Sequence, residues 1–194
     1  AGLSGVRDSL DNPVDYWTNN VVATYRIFNQ FKNGPKILYA SSSTAYEPWR
    51  NPYAMSKHYM ESIAPHNALG MRFTTVYGPG AREQMLIPKI LKDDVDYINV
   101  DHSRDFIHID DILTAVGFLI VNPLPKKPKF VDVGTGVSNN LLDILSHLNI
   151  EVKDKRMGTI FERKDNVAHI GTLTKMGWIP QTNLLDYLKE NYDN

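Results

Sequence analysis

Residues 36–57 read KILYASSSTAYEPWRNPYAMSK, and residues 71–80 read MRFTTVYGPG. Lys36 to Ser41 is a short apolar run bounded by Gly34-Pro35 and a serine cluster, which suits a strand buried on both faces of a parallel sheet. Pro52 then opens a helical pattern that runs to about Ala64. Met71 to Tyr77 returns to strand chemistry before Gly78-Pro79-Gly80 breaks it. Upstream, Asp11 to Gly34 opens with a cap candidate and Pro13, carries Val14, Trp17, Val21, Ile27, Phe28 and Phe31 at mostly helical spacing, and reads as one long helix closed by glycine. Downstream, helices are expected at Gln84 to Asp94 and Asp110 to Val121, and strands at Asp96 to Val100 and Lys129 to Val133, the last running into Gly134-Thr135-Gly136. A small helix near Thr172 to Met176 and a final one from about Asn183 close the chain. Such alternation implies βαβ crossovers and an α/β fold with a doubly wound parallel sheet, whose ligands sit beyond the carboxyl ends of the strands.

The chain has 194 residues, enough for one domain of ordinary size. Lys plus Arg number 21 and Asp plus Glu 22, so no basic field draws in nucleic acid, and small-molecule partners are expected. There is no cysteine, which removes thiolate metal sites, cysteine nucleophiles and disulfide scaffolds and points to a cytoplasmic setting. No window approaches the run of about 20 apolar residues that a membrane span needs. The sequence opens Ala-Gly-Leu-Ser-Gly rather than with Met, and reads as cut at its front.

Tyr53 and Lys57 are four residues apart on the second helix, hence on one face. A phenol titrating near 10 is a poor base at neutral pH, but a neighbouring ammonium favours its ionised form and brings proton transfer into range. Ser42, at the end of the preceding strand, can offer its hydroxyl to the same substrate oxygen. A Tyr-x-x-x-Lys pair arises easily by chance; its place here, after a serine-ended strand and at a helix start, favours the functional reading. His108, between Ile107 and Ile109, reads as a packed residue, and no metal site is expected.

With these residues the chain resembles the extended short-chain dehydrogenase/reductases, the NAD-dependent epimerase/dehydratase family. The resemblance is carried by Gly5-Val6-Arg7 with Asn12-Pro13, Asn19 to Thr24 (NNVVAT), SSSTAY with Tyr53-Ala-Met-Ser-Lys57, Arg72 to Pro79 (RFTTVYGP) and Arg104 to Asp111 (RDFIHIDD). It implies a Rossmann-like fold, NAD as cofactor and a nucleotide sugar, of the UDP-sugar kind, as substrate. By the same resemblance Tyr53 is the acid/base, Tyr53 and Lys57 hold the nicotinamide ribose, and Ser42 is the assisting hydroxyl. Asn20 is either the family asparagine beside the cofactor or an ordinary helix-interior residue. Arg104 resembles the arginine that contacts the nucleotide diphosphate, its plainer role being a partner for Asp105 or Asp110. Arg82 is a weaker candidate of the same kind, and Thr75 stands where many relatives place an asparagine facing the sugar nucleotide. Residues 1–80, with a return around 105–135, correspond to the later part of the cofactor domain; 81–104 and 136–194 correspond mainly to the substrate lobe. The Gly-rich phosphate turn is not found, Ala1-Gly2 resembles a later segment, and about 60 to 75 residues of βαβ structure are expected before it. A homodimer through the Asp11 to Gly34 and Pro52 to Ala64 helices is implied as well.

Within the family, Thr44 and Ser43 stand where dehydratases carry an acidic residue, and the cysteine acid of the fucose-synthase type is missing. C4 epimerisation through a transient 4-keto sugar is therefore the expected reaction. The local stretch GMRFTTVYGPGAREQM resembles the UDP-glucuronate 4-epimerases, whereas the interval from Ser42 to Tyr53 is shorter than the family's. A nucleotide-sugar reductase or dehydratase and a non-catalytic binding relative are the alternatives.

Overall fold

The computed structural model describes residues 2–125 and 127–192; Ala1 of the opening pair lies outside them. In chain order the helices are α1 (Val6–Asp11), α2 (Pro13–Tyr16), α3 (Ala23–Phe31), α4 (Pro52–Ser62), α5 (Leu86–Leu91), α6 (Ile109–Val121), α7 (Leu141–His147), α8 (Gly171–Met176) and α9 (Leu184–Tyr192). The strands are β1 (Ile37–Ser42), β2 (Ala68–Phe73), β3 (Thr75–Tyr77), β4 (Tyr97–Asn99), β5 (Ser103–Arg104), β6 (Phe106–His108), β7 (Phe130–Val133), β8 (Asn139–Asn140) and β9 (Asp154–Arg156).

The chain divides into two compact units. The first comprises residues 1–73, 118–132 and 160–163. Its sheet has the order β1-β2-β7, with β1 and β2 parallel in the register Ile37 opposite Ala68 through Ser42 opposite Phe73. Phe28 of α3, Tyr39 of β1, Met60 of α4, Ala64 just beyond that helix, and Ala68 form its apolar core. The Tyr39 side chain lies so close to Gly70 that a Cβ there would sit 2.8 Å from the phenol oxygen, so the glycine leaves room for this aromatic beside the strand. α4 starts where expected, for local reasons. Pro52 supplies the first helical position, and the Asn51 side chain accepts a hydrogen bond from Ala54 N–H at 2.7 Å.

The helix expected from Asp11 to Gly34 is a continuous helical run from Pro13 to Phe31, made of α2, a π-helical stretch Trp17–Val22 and α3, with α1 a separate helix before it. Asn12, whose φ of −127° and ψ of 51° are not helical, separates α1 from this run. The following Pro13 has no N–H to continue the ladder and pushes the residue before it out of the α region.

The second unit comprises residues 74–117, 133–159 and 164–194. β3 runs parallel to β6, β4 parallel to β9, and β5 antiparallel to β8. Its core gathers Tyr77, Ile87, Ile90, Ile98, Phe106, Ile144, Leu145, Leu184 and Leu188. Met71 to Tyr77, expected as one strand, is split between β2 and β3. At Thr74 the backbone N–H bonds Val133 O (3.2 Å), and at Thr75 it turns to Asp105 O (2.9 Å); the strand changes neighbour, and the ladder is interrupted there. The two-residue pair β5 and β8 was not expected, because neither stretch shows an apolar alternation. α8 ends on Gly177 with φ of 105°, a left-handed position that glycine adopts without steric cost.

Candidate active site

In the first unit, α4 presents Tyr53 and Lys57 one turn apart. The Lys57 ammonium lies 5.8 Å from the Tyr53 ring centre and donates to Ala40 O of β1 at 2.9 Å. Tyr53 also meets the edge of the Tyr16 ring, centroids 6.1 Å apart. Lys57 is buried, and burial, only partly countered by the Glu61 carboxylate, brings its ammonium down from 10.5 to about 8. Ser42 ends β1 with its backbone extended, and its Oγ accepts from both Thr44 N–H (3.2 Å) and the Thr44 hydroxyl (2.9 Å). With Thr44 supplying the protons on that side, the Ser42 hydroxyl hydrogen remains available to an outside acceptor.

Asn20 sits in the π-helical stretch, buried. Its amide oxygen accepts from Leu3 N–H (2.7 Å), and its amide nitrogen donates to Leu3 O (3.0 Å) and to Ser56 Oγ of α4 (3.1 Å). This fastens residues 2–4 beside Lys57. A Cβ on Gly2 would lie 3.2 Å from Asn20 Oδ1 and 3.3 Å from Lys57 Nζ. The bare glycine backbone, the partly buried Tyr53 and a lysine with one of its three N–H groups spent on Ala40 are a donor set that suits a ribose diol. These residues fit the nicotinamide end of NAD.

Behind this face stands a polar network that the sequence did not announce. Glu61, one turn beyond Lys57, accepts from Ser41 Oγ (2.6 Å), Arg72 Nε (2.7 Å) and Arg72 Nη2 (2.5 Å). The Arg72 guanidinium is 4.0 Å from the Tyr46 ring centre and 3.5 Å from that of Phe130. Tyr46 in turn donates to Asp132 at 2.9 Å, and burial together with that carboxylate pushes its phenol up to about 12. A charged residue inside the otherwise apolar strand Ala68–Phe73 was the available signal. Arg163, legible in the sequence only as part of a basic loop, reaches Ser43 O (2.7 Å) and Glu47 (3.2 Å); Glu47 also pairs with Arg50. Burial raises the Glu47 carboxyl, but Arg50 and Arg163 outweigh it and leave it below its usual range. The short passage from Ser42 to Tyr53 is thus stapled to residues 160–163, since Arg50 and Asn51 also donate to Ile160 O and Phe161 O.

Thr75, Arg82 and Arg104 belong to the second unit. Thr75 Oγ1 accepts from the Asn166 amide at 3.0 Å, while Asn166 Oδ1 receives Asp105 N–H at 2.7 Å. Arg104 donates to Ser103 O (2.8 Å) and Lys164 O (3.2 Å) and contacts His102 Nδ1 at 3.1 Å. Arg82 is exposed on the turn after Gly80. His108 packs between Tyr77 and Tyr187, ring centroids 5.2 Å away in each case. Among the described residues no three His, Cys, Asp or Glu gather as a metal site, and no helix is long and apolar enough to cross a membrane.

Residues 1–134 match the model of the NAD dependent epimerase/dehydratase family. The chain is 28% identical to a UDP-glucuronate 4-epimerase of Thermodesulfobacterium geofontis, over 97% of this chain and 68% of that protein. It is 30% identical to a CDP-abequose synthase of Salmonella typhimurium, over 78% of this chain and 57% of that protein. Across such relatives the chain spans roughly half to two thirds of their length. Among solved structures, a UDP-glucuronic acid 4-epimerase from Bacillus cereus, in complex with UDP-glucuronic acid and NAD, superposes with a TM-score of 0.83 at 25% identity, covering 100% of this chain and 72% of that one. The dehydratase TunA, at 23% identity and a TM-score of 0.84, shares the fold over 100% of this chain and 74% of its own. With its Rossmann-like α/β architecture and its matched length, the chain belongs to the NAD-dependent epimerase/dehydratase family.

Proposed function

We propose that the protein is a nucleotide-sugar epimerase that inverts C4 of a UDP-sugar through a transient 4-keto intermediate. The observation that carries this reading is the buried Lys57 ammonium beside Tyr53 on α4, next to the serine-ended strand β1. Tyr53 takes the proton from the C4 hydroxyl and later returns it; Ser42 donates a hydrogen bond to the same oxygen, and Lys57 favours the ionised phenol. NAD, when bound, supplies a hydride acceptor and gives the hydride back. Thr44, whose hydroxyl is spent on Ser42, is no carboxylic acid for eliminating water, which favours epimerisation over dehydration. Thr75, Arg82 and Arg104 are proposed to meet the sugar nucleotide, and Asn20 the cofactor side. The cysteine-free sequence goes with a cytoplasmic setting.

The test is incubation with NAD+ and a panel of UDP-hexoses and UDP-uronates, with products resolved by proton NMR. Appearance of a C4 epimer without net NADH supports the reading. Stoichiometric NADH points to an oxidase, consumption of NAD(P)H in a parallel incubation with the reduced cofactor points to a reductase, and an unchanged panel with tight nucleotide binding points to a non-catalytic relative.

Turnover should also fall as pH rises through about 8, because Lys57 loses its proton there, and a kcat profile between pH 6 and 10 checks it. The effect on folding has the opposite sign. Between about 8 and the ordinary 10.5 the unfolded chain binds this proton and the folded chain does not, so this residue's contribution to stability improves with pH across that window.

A homodimer is part of the proposal, supported by the apolar side chains Val14, Trp17, Tyr25, Met55 and Tyr59 left exposed on the helices of the first unit. Sedimentation should give a dimer that Trp17→Glu converts to monomer; an unaltered protein that is monomeric at all concentrations ends the idea.

A further inference from the structure

We propose that Glu61 is a positioning residue for the acid/base pair, tying the end of β1 to α4 through Ser41 and standing as the buried counter-charge to the Lys57 ammonium. The inference rests on the reading of Tyr53 and Lys57 given above.

Its geometry is a clamp. Ala40, Ser41 and Ser42 are consecutive on β1. Lys57 holds the first through its carbonyl at 2.9 Å, and Glu61 holds the second through its hydroxyl at 2.6 Å. Lys57 and Glu61 are one turn apart on the buried side of α4. Two successive strand residues are therefore gripped by two successive turns of the helix that carries Tyr53, and the third strand residue, Ser42, is placed by that grip. Arg72, directly opposite Ser41 in the β1–β2 register, holds the Glu61 carboxylate from behind with two bonds, so the carboxylate is fixed in three directions.

Charge points the same way. The ionisable groups around Lys57 are Tyr53 and Glu61 on its own helix; Tyr39 of β1 and Arg72 of β2 face Glu61, and Tyr46 covers Arg72. Burial depresses the Lys57 ammonium and Glu61 opposes that depression. Stability alone does not account for the ion pair, since buried pairs can commonly be exchanged for apolar residues of similar volume without loss.

The experiment titrates Lys57 directly, by competitive acetylation and mass spectrometry across pH, together with kcat and KM profiles on the UDP-sugar panel. Glu61→Gln leaves Arg72 buried without its partner and is expected to lose stability, so the deciding variant is Glu61→Met/Arg72→Met, which removes both charges. In the folded double variant the Lys57 midpoint is expected to fall by about one pH unit, with the alkaline limb of kcat moving alongside it. Ser41→Ala, which leaves the ion pair intact, should lower kcat about ten- to hundredfold through misplacement of Ser42, with KM and the Lys57 midpoint unchanged. An unmoved Lys57 midpoint in the folded double variant, or full kcat in Ser41→Ala, overturns the proposal. If the unaltered protein converts no UDP-sugar but the Lys57 midpoint still shifts, the epimerase reading fails while the counter-charge role of Glu61 stands.

Discussion

Tyr53→Phe is expected to reduce kcat for UDP-sugar epimerisation by about 10²- to 10⁴-fold, the usual contribution of a positioned acid/base group. The substitution deletes a single oxygen and keeps the ring that packs edge-on against Tyr16, so the fold and the packing of α4 should survive. KM for the nucleotide sugar should change little, because the hydroxyl acts on the proton in flight rather than on the bound ground state. Steady-state kinetics, paired with calorimetric binding of UDP, separates the two quantities. Undiminished turnover in Tyr53→Phe would move the acid/base role to another residue. Binding that is indifferent to the substitution, in a protein whose unaltered form also lacks turnover, would favour a non-catalytic binding relative.

Asp105→Asn should cost the second unit about 3–5 kcal/mol of stability, read from urea denaturation. Asp105 is completely buried. Oδ1 accepts from Thr135 N–H (2.8 Å) and Thr135 Oγ1 (2.7 Å), and Oδ2 from Gly136 N–H (2.8 Å) and Ala168 N–H (3.0 Å). An amide has one acceptor oxygen, so its NH2 must face N–H donors whichever way it is turned. Relief by movement is blocked: a Cβ on Gly134 would come within 2.7 Å of Asp105 Oδ2 and 2.5 Å of Ala168 Cβ, which marks how tightly this corner is filled. A loss below about 1 kcal/mol, the worth of one ordinary hydrogen bond, would mean that the carboxylate is not the hub these distances describe. Asp105 lies beside Arg104 in the RDFIHIDD segment. The neighbour proposed to meet the ligand is partly buried, and the aspartate holds together the loops around it.

The local features of this protein were legible because their causes are local. β1, α4 and the strand after it follow from apolar runs, an asparagine-proline start and a glycine-proline break within a few residues of one another. Ser42, Tyr53 and Lys57 could be picked out because a strand end and a four-residue helical spacing bring chemistry together without any distant partner. The helix expected over Asp11 to Gly34 runs unbroken from Pro13 to Phe31, and only its π-helical middle was not foreseen. Its apolar residues proved a poor guide to burial: Val21 and Phe28 are buried while Val14 and Ile27 are exposed.

What depends on distant pairing was not legible. The family resemblance in the RDF and Tyr-x-x-x-Lys segments identified which residues to inspect but not what holds them. Glu61 meets Ser41 across 20 residues, Asp105 meets Ala168 across 63, and Arg163 meets the Ser43 carbonyl across 120. The split of Met71 to Tyr77 at Thr74 likewise arises because the strand exchanges one neighbour for another. The sequence by itself determined the α/β class, the main alternation of helices and strands, and the proposal of Tyr53 and Lys57 as an acid/base pair, since propensity, periodicity and turn chemistry act over a few residues. Only the tertiary structure decided that Lys57 is buried against Ala40 with Glu61 behind it, and that the aspartate after Arg104 is a structural hub. Desolvation and hydrogen-bond satisfaction are properties of what surrounds a side chain, and those surroundings are assembled from the whole chain.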